Sequence, residues 1–247
     1  GLYSQYYDLL YSDKDYAGEV DYINKLIKEN SNEAKSLLDL GCGTGKHAEL
    51  LCNNGYIVHG IDLSEDMLEI AKNRRIDKDD RLFFSRSNIQ ELELNKKFDV
   101  VVSLFHVISY QNSNDQLIKA FEVAKSHLKN NGIFIFDFWY GPAVLKDPPV
   151  KRVKKLVNDK IKVTRFAEPT VYSDKNLVDV HYDIFIEDIN SKEIIEKKET
   201  HQMRYFFETE LDMICKQVGF LIKQKYEWMS EKNPDSNSWN VVWVVKK

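Results

Sequence analysis

LLDLGCGTGK (Leu37–Lys46) is a short apolar strand that runs into three alternating glycines. A second apolar run, Tyr56–Ile61, follows and closes on Asp62. Strand, glycine turn, helix, strand and acid is the order in which a parallel α/β sheet holds a nucleoside. Glycine lets the backbone pass close to a ligand because no Cβ stands in the way. The helix start after the turn offers free N–H groups to a carboxylate. Asp62, 17 residues past Gly45, is placed to accept hydrogen bonds from two ribose hydroxyls. The spacing excludes two commoner glycine turns. A P-loop needs four residues between its first Gly and a Gly-Lys-Ser/Thr. A dinucleotide fingerprint puts its third Gly where this chain has Lys46.

Outward from this stretch the chain alternates strands and helices. Tyr16, Val20, Ile23 and Ile27 form the apolar stripe of an N-terminal helix. His47–Cys52 continues as helix from the glycine turn, and Ser64 reads as an N-cap with Glu65 and Asp66 in the first turn. Arg81–Ser85 is a third strand. Phe98–Leu104 is a continuous apolar run, as expected of a strand buried on both faces. Leu117, Phe121, Ala124 and Leu128 mark a helix that Asn131–Gly132 is expected to stop, and Ile133–Phe138 is a fifth strand. This implies a doubly wound parallel sheet. Lys146–Pro149 reads as a break, and from Val150 to Phe206 the pattern turns to period two. Val178, Val180, Tyr182, Ile184 and Ile186 share one face, with Asp179, His181, Asp183 and Phe185 on the other. Three or four antiparallel strands are therefore expected. Thr209–Val218 is a last helix stopped by Gly219, and Phe220–Trp228 and Trp239–Val245 are closing strands joined through Asn233–Asp235. The expected organisation is a core over residues 1–142, a β insertion over 143–206 above the active site, and the final helix and strands over 207–247.

Composition narrows the function classes. The 247 residues are 43% hydrophobic and 12% aromatic, enough for a proper core. Net charge is −4 with no basic block, which argues against a nucleic-acid partner. No apolar run approaches the roughly 18–20 residues of a membrane span, and the Tyr- and Asp-rich N-terminus does not read as a secretion signal. Cys42, Cys52 and Cys215 have no zinc spacing and read as reduced cytoplasmic thiols. No set of His, Cys and acids has metal spacing. The number of subunits is left open, a homodimer included.

LLDLGCGTGK together with IDLSEDML (Ile61–Leu68) resembles motifs I and II of the class I S-adenosylmethionine (SAM) methyltransferases. The resemblance implies a Rossmann-like doubly wound sheet with an antiparallel β insertion before the last helix and closing strands. It implies SAM as cofactor, with Gly41, Gly43 and Gly45 as its loop and Asp62 on the ribose. Asp39 is then expected to order the loop and lie near the methionine amino group. Leu63 and Met67 flank the adenine, Asn88 and Ile89 lie by its amino group, and Leu104 and Phe105 pass near the sulfonium. Asn88 departs from the usual aspartate; its amide oxygen still accepts, without charge assistance. Outside these motifs, YSQYYDLLYSDKDYAGEVDYI (Tyr3–Ile23), VVSLFHVISYQNSNDQL (Val101–Leu117) and the β-rich stretch before MRYFFETELDMICKQVGF (Met203–Phe220) resemble the N,N-dimethyltransferases of nucleotide-linked amino sugars. That resemblance places Tyr7 and Tyr16 over the cofactor, and Tyr3 and Tyr110 near the acceptor amine.

Each assignment has a structural counterpart. Tyr16 also belongs to the apolar stripe of its helix, and Tyr110 also reads as a surface loop residue. His106, after the fourth strand, suits a role in orienting an acceptor or taking its proton, or one as a hydrogen-bonded structural histidine. His181, His201 and Arg204 line a sugar-nucleotide cleft or are half-exposed strand residues. Trp139, Tyr140 and Trp239 wall the acceptor pocket or belong to the rim of the core. His47 and His127 read as helix-surface residues. The expected reaction is methyl transfer to the amine of a small acceptor, a nucleotide-linked deoxyamino sugar. The alternatives are O- or N-methylation of another metabolite or polysaccharide sugar, and SAM binding without catalysis. No Asn-Pro-Pro-Tyr-type motif follows the fourth strand, which argues against methylation of a nucleic-acid base.

Overall fold

The computed structural model describes residue 6, residues 9–74 and residues 80–247, so the expectations for Tyr3 and Tyr7 lie outside the described residues. Helix α1 (Tyr16–Asn30) starts at Asp15, whose side chain accepts from the Gly18 N–H, and buries Val20, Ile23, Leu26 and Ile27. β1 (Ser36–Leu40), α2 (Lys46–Asn53), β2 (Ile57–Asp62), α3 (Glu65–Arg74), β3 (Leu82–Arg86) and β4 (Phe98–Ser103) follow. After a short 3₁₀ turn at Val107–Tyr110 come α4 (Asn114–Ser126), β5 (Leu128–Tyr140) and α5 (Gly141–Lys146). Ser113 and Gln116 close a capping box at the start of α4. β6 (Arg152–Val157), β7 (Ile161–Tyr172), β8 (Leu177–Asp188) and β9 (Ile194–Phe206) precede α6 (Glu208–Val218), β10 (Leu221–Glu227) and β11 (Asn240–Lys246).

β1 to β5 pair in parallel in the order β3-β2-β1-β4-β5, and β11 and then β10 extend the sheet in antiparallel fashion beyond β5. The order reverses between β1 and β4, which puts the ligand crevice at their carboxyl ends. Alternation along the strands sorts the core into two layers. Phe134, Phe136 and Phe138 of β5 pack with Phe121 of α4 and Leu211 of α6, while Ile133 and Ile135 pack with Ile23 and Ile27 of α1.

β6 to β9 form an antiparallel meander. Among the described residues it pairs with the main sheet only where Tyr205 and Phe206 run parallel to Trp139 and Tyr140, and its inner face lines the cavity. Tyr6 and Leu10 of the N-terminal segment pack against Ile161, Val163, Ile184 and Ile186 of the meander.

Two local expectations give way. α4 ends at Ser126, not at Asn131–Gly132. β5 already starts at Leu128, and Asn131 at φ 64° sits in a bulge where the pairing shifts from Phe98–Leu128 to Val100–Ile133. The break at Lys146–Pro149 follows a short helix started by Pro142. His47 and His127 are buried, not on helix surfaces. His47 Nε2 lies 2.7 Å from Glu19 Oε2, and His127 Nε2 accepts the Leu94 N–H at 2.9 Å.

Candidate active site

A cavity of about 920 Å³ opens at the carboxyl ends of β1 and β4 and runs beneath the meander. One half is built by the glycine loop. Gly41, Gly43 and Gly45 all have positive φ, at 83°, 53° and 73°. A Cβ on Gly43 would meet nothing within 4 Å and would project into open space, so this residue leaves room for a ligand against the backbone. Gly45 stands back from the cavity; a Cβ there would lie 2.7 Å from Phe84 and 2.9 Å from Ala71. Its smallness serves the packing of α2 against its neighbours.

Asp62 holds the loop. Its Oδ2 accepts the Gly43 N–H at 2.8 Å and its Oδ1 accepts the Ser64 N–H at 2.9 Å. Asp39 lies fully buried at the end of β1 and accepts no hydrogen bond from any described residue. Burial first, and the nearby Asp62 charge second, push its carboxyl up to about 7. Leu63, Met67, Asn88, Ile89 and Leu104 line the same half, as does Tyr16 from α1. The Asn88 side-chain oxygen accepts the Gln90 N–H at 3.0 Å. The Tyr16 ring meets His47 edge-on, with centroids 4.9 Å apart.

The other half is built by the segment after β4 and by the meander. Phe105 and His106 both lie in the left-handed region, at φ 65° and 64°. Both Asp137 oxygens are 3.2 Å from the His106 backbone N–H, and Oδ2 is 2.7 Å from His106 Nδ1. The ring contact does not have the geometry of a hydrogen bond at Nδ1. Tyr110 Oη lies 2.7 Å from His201 Nδ1, and His201 Nε2 lies 3.3 Å from Glu199 Oε2. Although 43% of Tyr110 is exposed, its hydroxyl is turned inward, and burial raises the phenol well above its ordinary value.

Register explains which meander residues face the cavity. Val180 is opposite His201, and Tyr182 is opposite Glu199, so all four share one face. Arg165 comes from β7, its guanidinium 4.7 Å from the Tyr182 ring centre. Burial pushes the Tyr6 phenol up to about 12 against the opposing pull of Arg165. His181 points to the opposite face and contacts Thr200 Oγ1 at 2.9 Å. Arg204 is turned away, bonded to Asn114 and Glu210. Of the three aromatics expected at the wall, Trp139 reaches it; Tyr140 donates to Glu208 at 3.2 Å, and Trp239 packs on Trp139 at 5.6 Å. Sequence reading missed Arg165, Glu199, Tyr6 and Tyr11 in this half. The period-two signal was there for Arg165 and Glu199, but strand register was not.

The first half fits SAM on its own geometry. A buried carboxylate without a donor beside a second carboxylate calls for a cationic ligand, and the open face of Gly43 admits one. A family described as a methyltransferase domain matches residues 37–132, the stretch that contains this loop, Asp62 and Asn88. Residues 37–132 carry a SAM-dependent methyltransferase domain. This methyltransferase is similar to the dTDP-3-amino-3,4,6-trideoxy-alpha-D-glucopyranose N,N-dimethyltransferase of Streptomyces venezuelae, 34% identical over 57% of this chain and 59% of that one. It is similar also to the dTDP-3-amino-3,6-dideoxy-alpha-D-glucopyranose N,N-dimethyltransferase of Streptomyces fradiae, 25% identical over 90% of this chain and 85% of that one. The chain thus spans less than two thirds of the first relative's length. The crystal structure of a SAM-dependent methyltransferase from Clostridium acetobutylicum superposes with a TM-score of 0.85 at 26% identity, covering 99% of this methyltransferase and 97% of that chain. Among the described residues no cluster of His, Cys and acids suits a metal ion, and no helix is long and apolar enough to cross a membrane.

Proposed function

We propose that this methyltransferase moves the methyl group of SAM to the amine of a small acceptor, a nucleotide-linked deoxyamino sugar. One observation carries the reading: a single cavity joins the glycine loop and Asp62 to an acceptor half that holds Glu199, Arg165 and a group of tyrosines. At about 920 Å³ it lies near the top of the range for ligand pockets, which suits two ligands side by side. The relatives named for dTDP-amino sugars support the acceptor class.

Bound SAM supplies a methyl group already activated on a sulfonium. The chain's own work is to bind, to align and to exclude water. Asp62 takes the ribose hydroxyls, Asp39 meets the methionine ammonium, and Leu63, Met67, Asn88 and Ile89 hold the adenine. Tyr16 and Leu104 border the sulfonium, with an aromatic face favourable to positive charge. Arg165 suits the diphosphate of a nucleotide-linked acceptor because its guanidinium forms forked bonds to phosphate oxygens. Tyr110 and His106 face the acceptor. Three buried cysteines that form no disulfide with one another agree with a cytoplasmic setting.

The test is to incubate the protein with SAM and dTDP-3-amino-3,6-dideoxyglucose and to follow S-adenosylhomocysteine and acceptor mass. A product carrying one or two methyl groups on nitrogen is expected. Methylation of the 3-hydroxy analogue at a comparable rate would refute the amine assignment.

A further inference from the structure

An aliphatic amine is mostly protonated at neutral pH, and an ammonium has no lone pair with which to attack a methyl group. An N-methyltransferase therefore needs an exit for a proton, and a second exit if it is to methylate twice. Two groups at the acceptor end have an imidazole. His106 is engaged with Asp137 through both its backbone N–H and its ring. His201 is arranged differently: one nitrogen faces the Tyr110 hydroxyl at 2.7 Å and the other faces the Glu199 carboxylate at 3.3 Å.

We propose that Tyr110, His201 and Glu199 form a proton relay leading from the acceptor amine to the meander surface. This rests on the amine-methylation reading given above. Tyr110 touches the amine; His201 and Glu199 act through it. The amine N–H hydrogen-bonds to Tyr110 Oη. As the proton leaves nitrogen for Oη, the Tyr110 hydroxyl proton passes to His201 Nδ1. The imidazolium so formed keeps its Nε2–H toward the Glu199 carboxylate, which stabilises the new charge. The proton then leaves to solvent from His201, whose side chain is 35% exposed. One N–H bond and one O–H bond break, and one O–H and one N–H bond form, with no change of oxidation state.

Three features of the structure favour this over a structural hydrogen bond. The relay begins in the donor cavity itself: Tyr110 and Asp62 line the same cavity. The phenol is held in its neutral form by burial, which suits a group that passes a proton on without storing charge. The other charged or ionisable neighbours are Tyr182, whose ring meets His201 edge-on at 5.3 Å, Tyr11 beside Tyr110, Arg165 over Tyr182, and Lys197, whose Nζ lies 3.6 Å from Glu199 Oε1. Glu199 is the carboxylate in contact with His201, so it sets the polarity of the relay.

The experiment has two arms. In the first, ¹⁵N–¹H NMR of the histidine side chains assigns the His201 tautomer in the full-length protein, with and without SAM. The relay requires hydrogen on Nε2 and a free lone pair on Nδ1, and Tyr110→Phe should move the Nδ1 resonance. Hydrogen on Nδ1 would overturn the proposal, whether or not any acceptor is known. In the second, His201→Gln, Glu199→Gln and Tyr110→Phe are assayed with SAM and dTDP-3-amino-3,6-dideoxyglucose from pH 7 to 9.5. At pH 7 kcat should fall about 10- to 100-fold with KM changed less than about threefold. The deficit should close toward pH 9.5, where the amine arrives already deprotonated. A deficit equal at all pH values marks a structural role and sinks the relay. Lack of turnover by the unaltered protein counts against the amine-sugar reading alone, and the tautomer then decides the relay.

Discussion

Replacing Asp39 with Asn should raise the stability of the ligand-free protein at pH 8 and weaken SAM binding in the same buffer. Asp39 is 2% exposed, meets no donor among the described residues, and has its carboxyl pushed up to about 7 by burial and by Asp62. Unfolded, the same group ionises near its ordinary value of about 4. The folded state therefore holds the extra proton, and the stability linked to this group falls as pH rises from about 4 to 7. The slope is about 1.4 kcal/mol per pH unit, and the whole window amounts to about 4 kcal/mol. Asn has no such slope. Between pH 5.5 and 8 the stability of Asp39→Asn relative to the unaltered protein should thus improve by about 2 kcal/mol. In a chain of this size that is about 4–8 °C in Tm. His59 and His127, whose pKa values burial lowers, act with the opposite sign: their contribution is lost as pH falls. They are present in both proteins and cancel in the comparison. Titration calorimetry supplies the second half. At pH 8 the variant should bind SAM about 10- to 100-fold more weakly, the range of a charge-assisted hydrogen bond. At pH 5.5 the gap should narrow because the unaltered protein has lost its carboxylate. A stability difference that is the same at both pH values would refute the buried-ionisation argument. Equal SAM affinity at pH 8 would remove Asp39 from the ammonium.

The other expectations concern neighbouring residues. Gly43→Val places a branched side chain at φ 53° and into the cavity; we expect a folded protein, about 1–2 kcal/mol less stable, that no longer binds SAM in calorimetry. Asp62→Ala removes the acceptor of the Gly43 and Ser64 N–H groups, and SAM affinity should be lost; normal affinity would make the cofactor assignment wrong. Arg165→Met and Arg204→Met form a contrasting pair. Arg165 faces the cavity, so its loss should raise the acceptor KM at least tenfold with little change in Tm. Arg204 is 7% exposed and tied to Glu210 and Asn114, so its loss should cost about 3–5 kcal/mol of stability and leave the acceptor KM unchanged in whatever protein folds.

The donor half was legible because its determinants are contiguous. Leu37–Lys46 and Ile61–Leu68 each bring strand residues, a turn and cavity-lining residues together within a dozen positions. Even there, sequence did not separate Gly43, which leaves ligand space, from Gly45, which packs on Phe84. The acceptor half depends on register. Period two placed Val180 and Tyr182 on one face, but only pairing with His201 and Glu199 shows which side chains of β9 join them. A shift of one residue would have presented Thr200 and Gln202 instead. The buried histidines were misread for a related reason: His47 and His127 are made acceptable inside by partners 28 and 33 residues away, Glu19 and Leu94, which helical periodicity does not reveal.

The two halves meet at Phe105–His106, and the strain there has a physical reason. Two adjacent non-glycine residues in the left-handed region cost about 1–3 kcal/mol each and persist only where the surroundings over-determine them. On one side Asp137, 1% exposed, needs donors and takes the His106 backbone N–H. On the other, Val107 fills the space beside Gly41 so closely that a Cβ on the glycine would lie 2.5 Å from Val107 Cγ1. Ser109 then accepts the Trp139 N–H at 3.1 Å, and Ser103 donates to the Leu40 carbonyl at 3.0 Å. The segment after β4 is therefore clamped to the glycine loop through Gly41 and to β5 through Asp137 and Trp139. The donor loop and the near wall of the other half are thus packed and bonded into one unit. The far wall, from Arg165 to His201, belongs to a meander whose strand pairing with that unit is confined, among the described residues, to two residue pairs at the end of β5, with the Tyr110–His201 and Asn114–Arg204 contacts as side-chain ties. Substitutions on the meander face can accordingly change which acceptor is held while leaving the donor geometry intact.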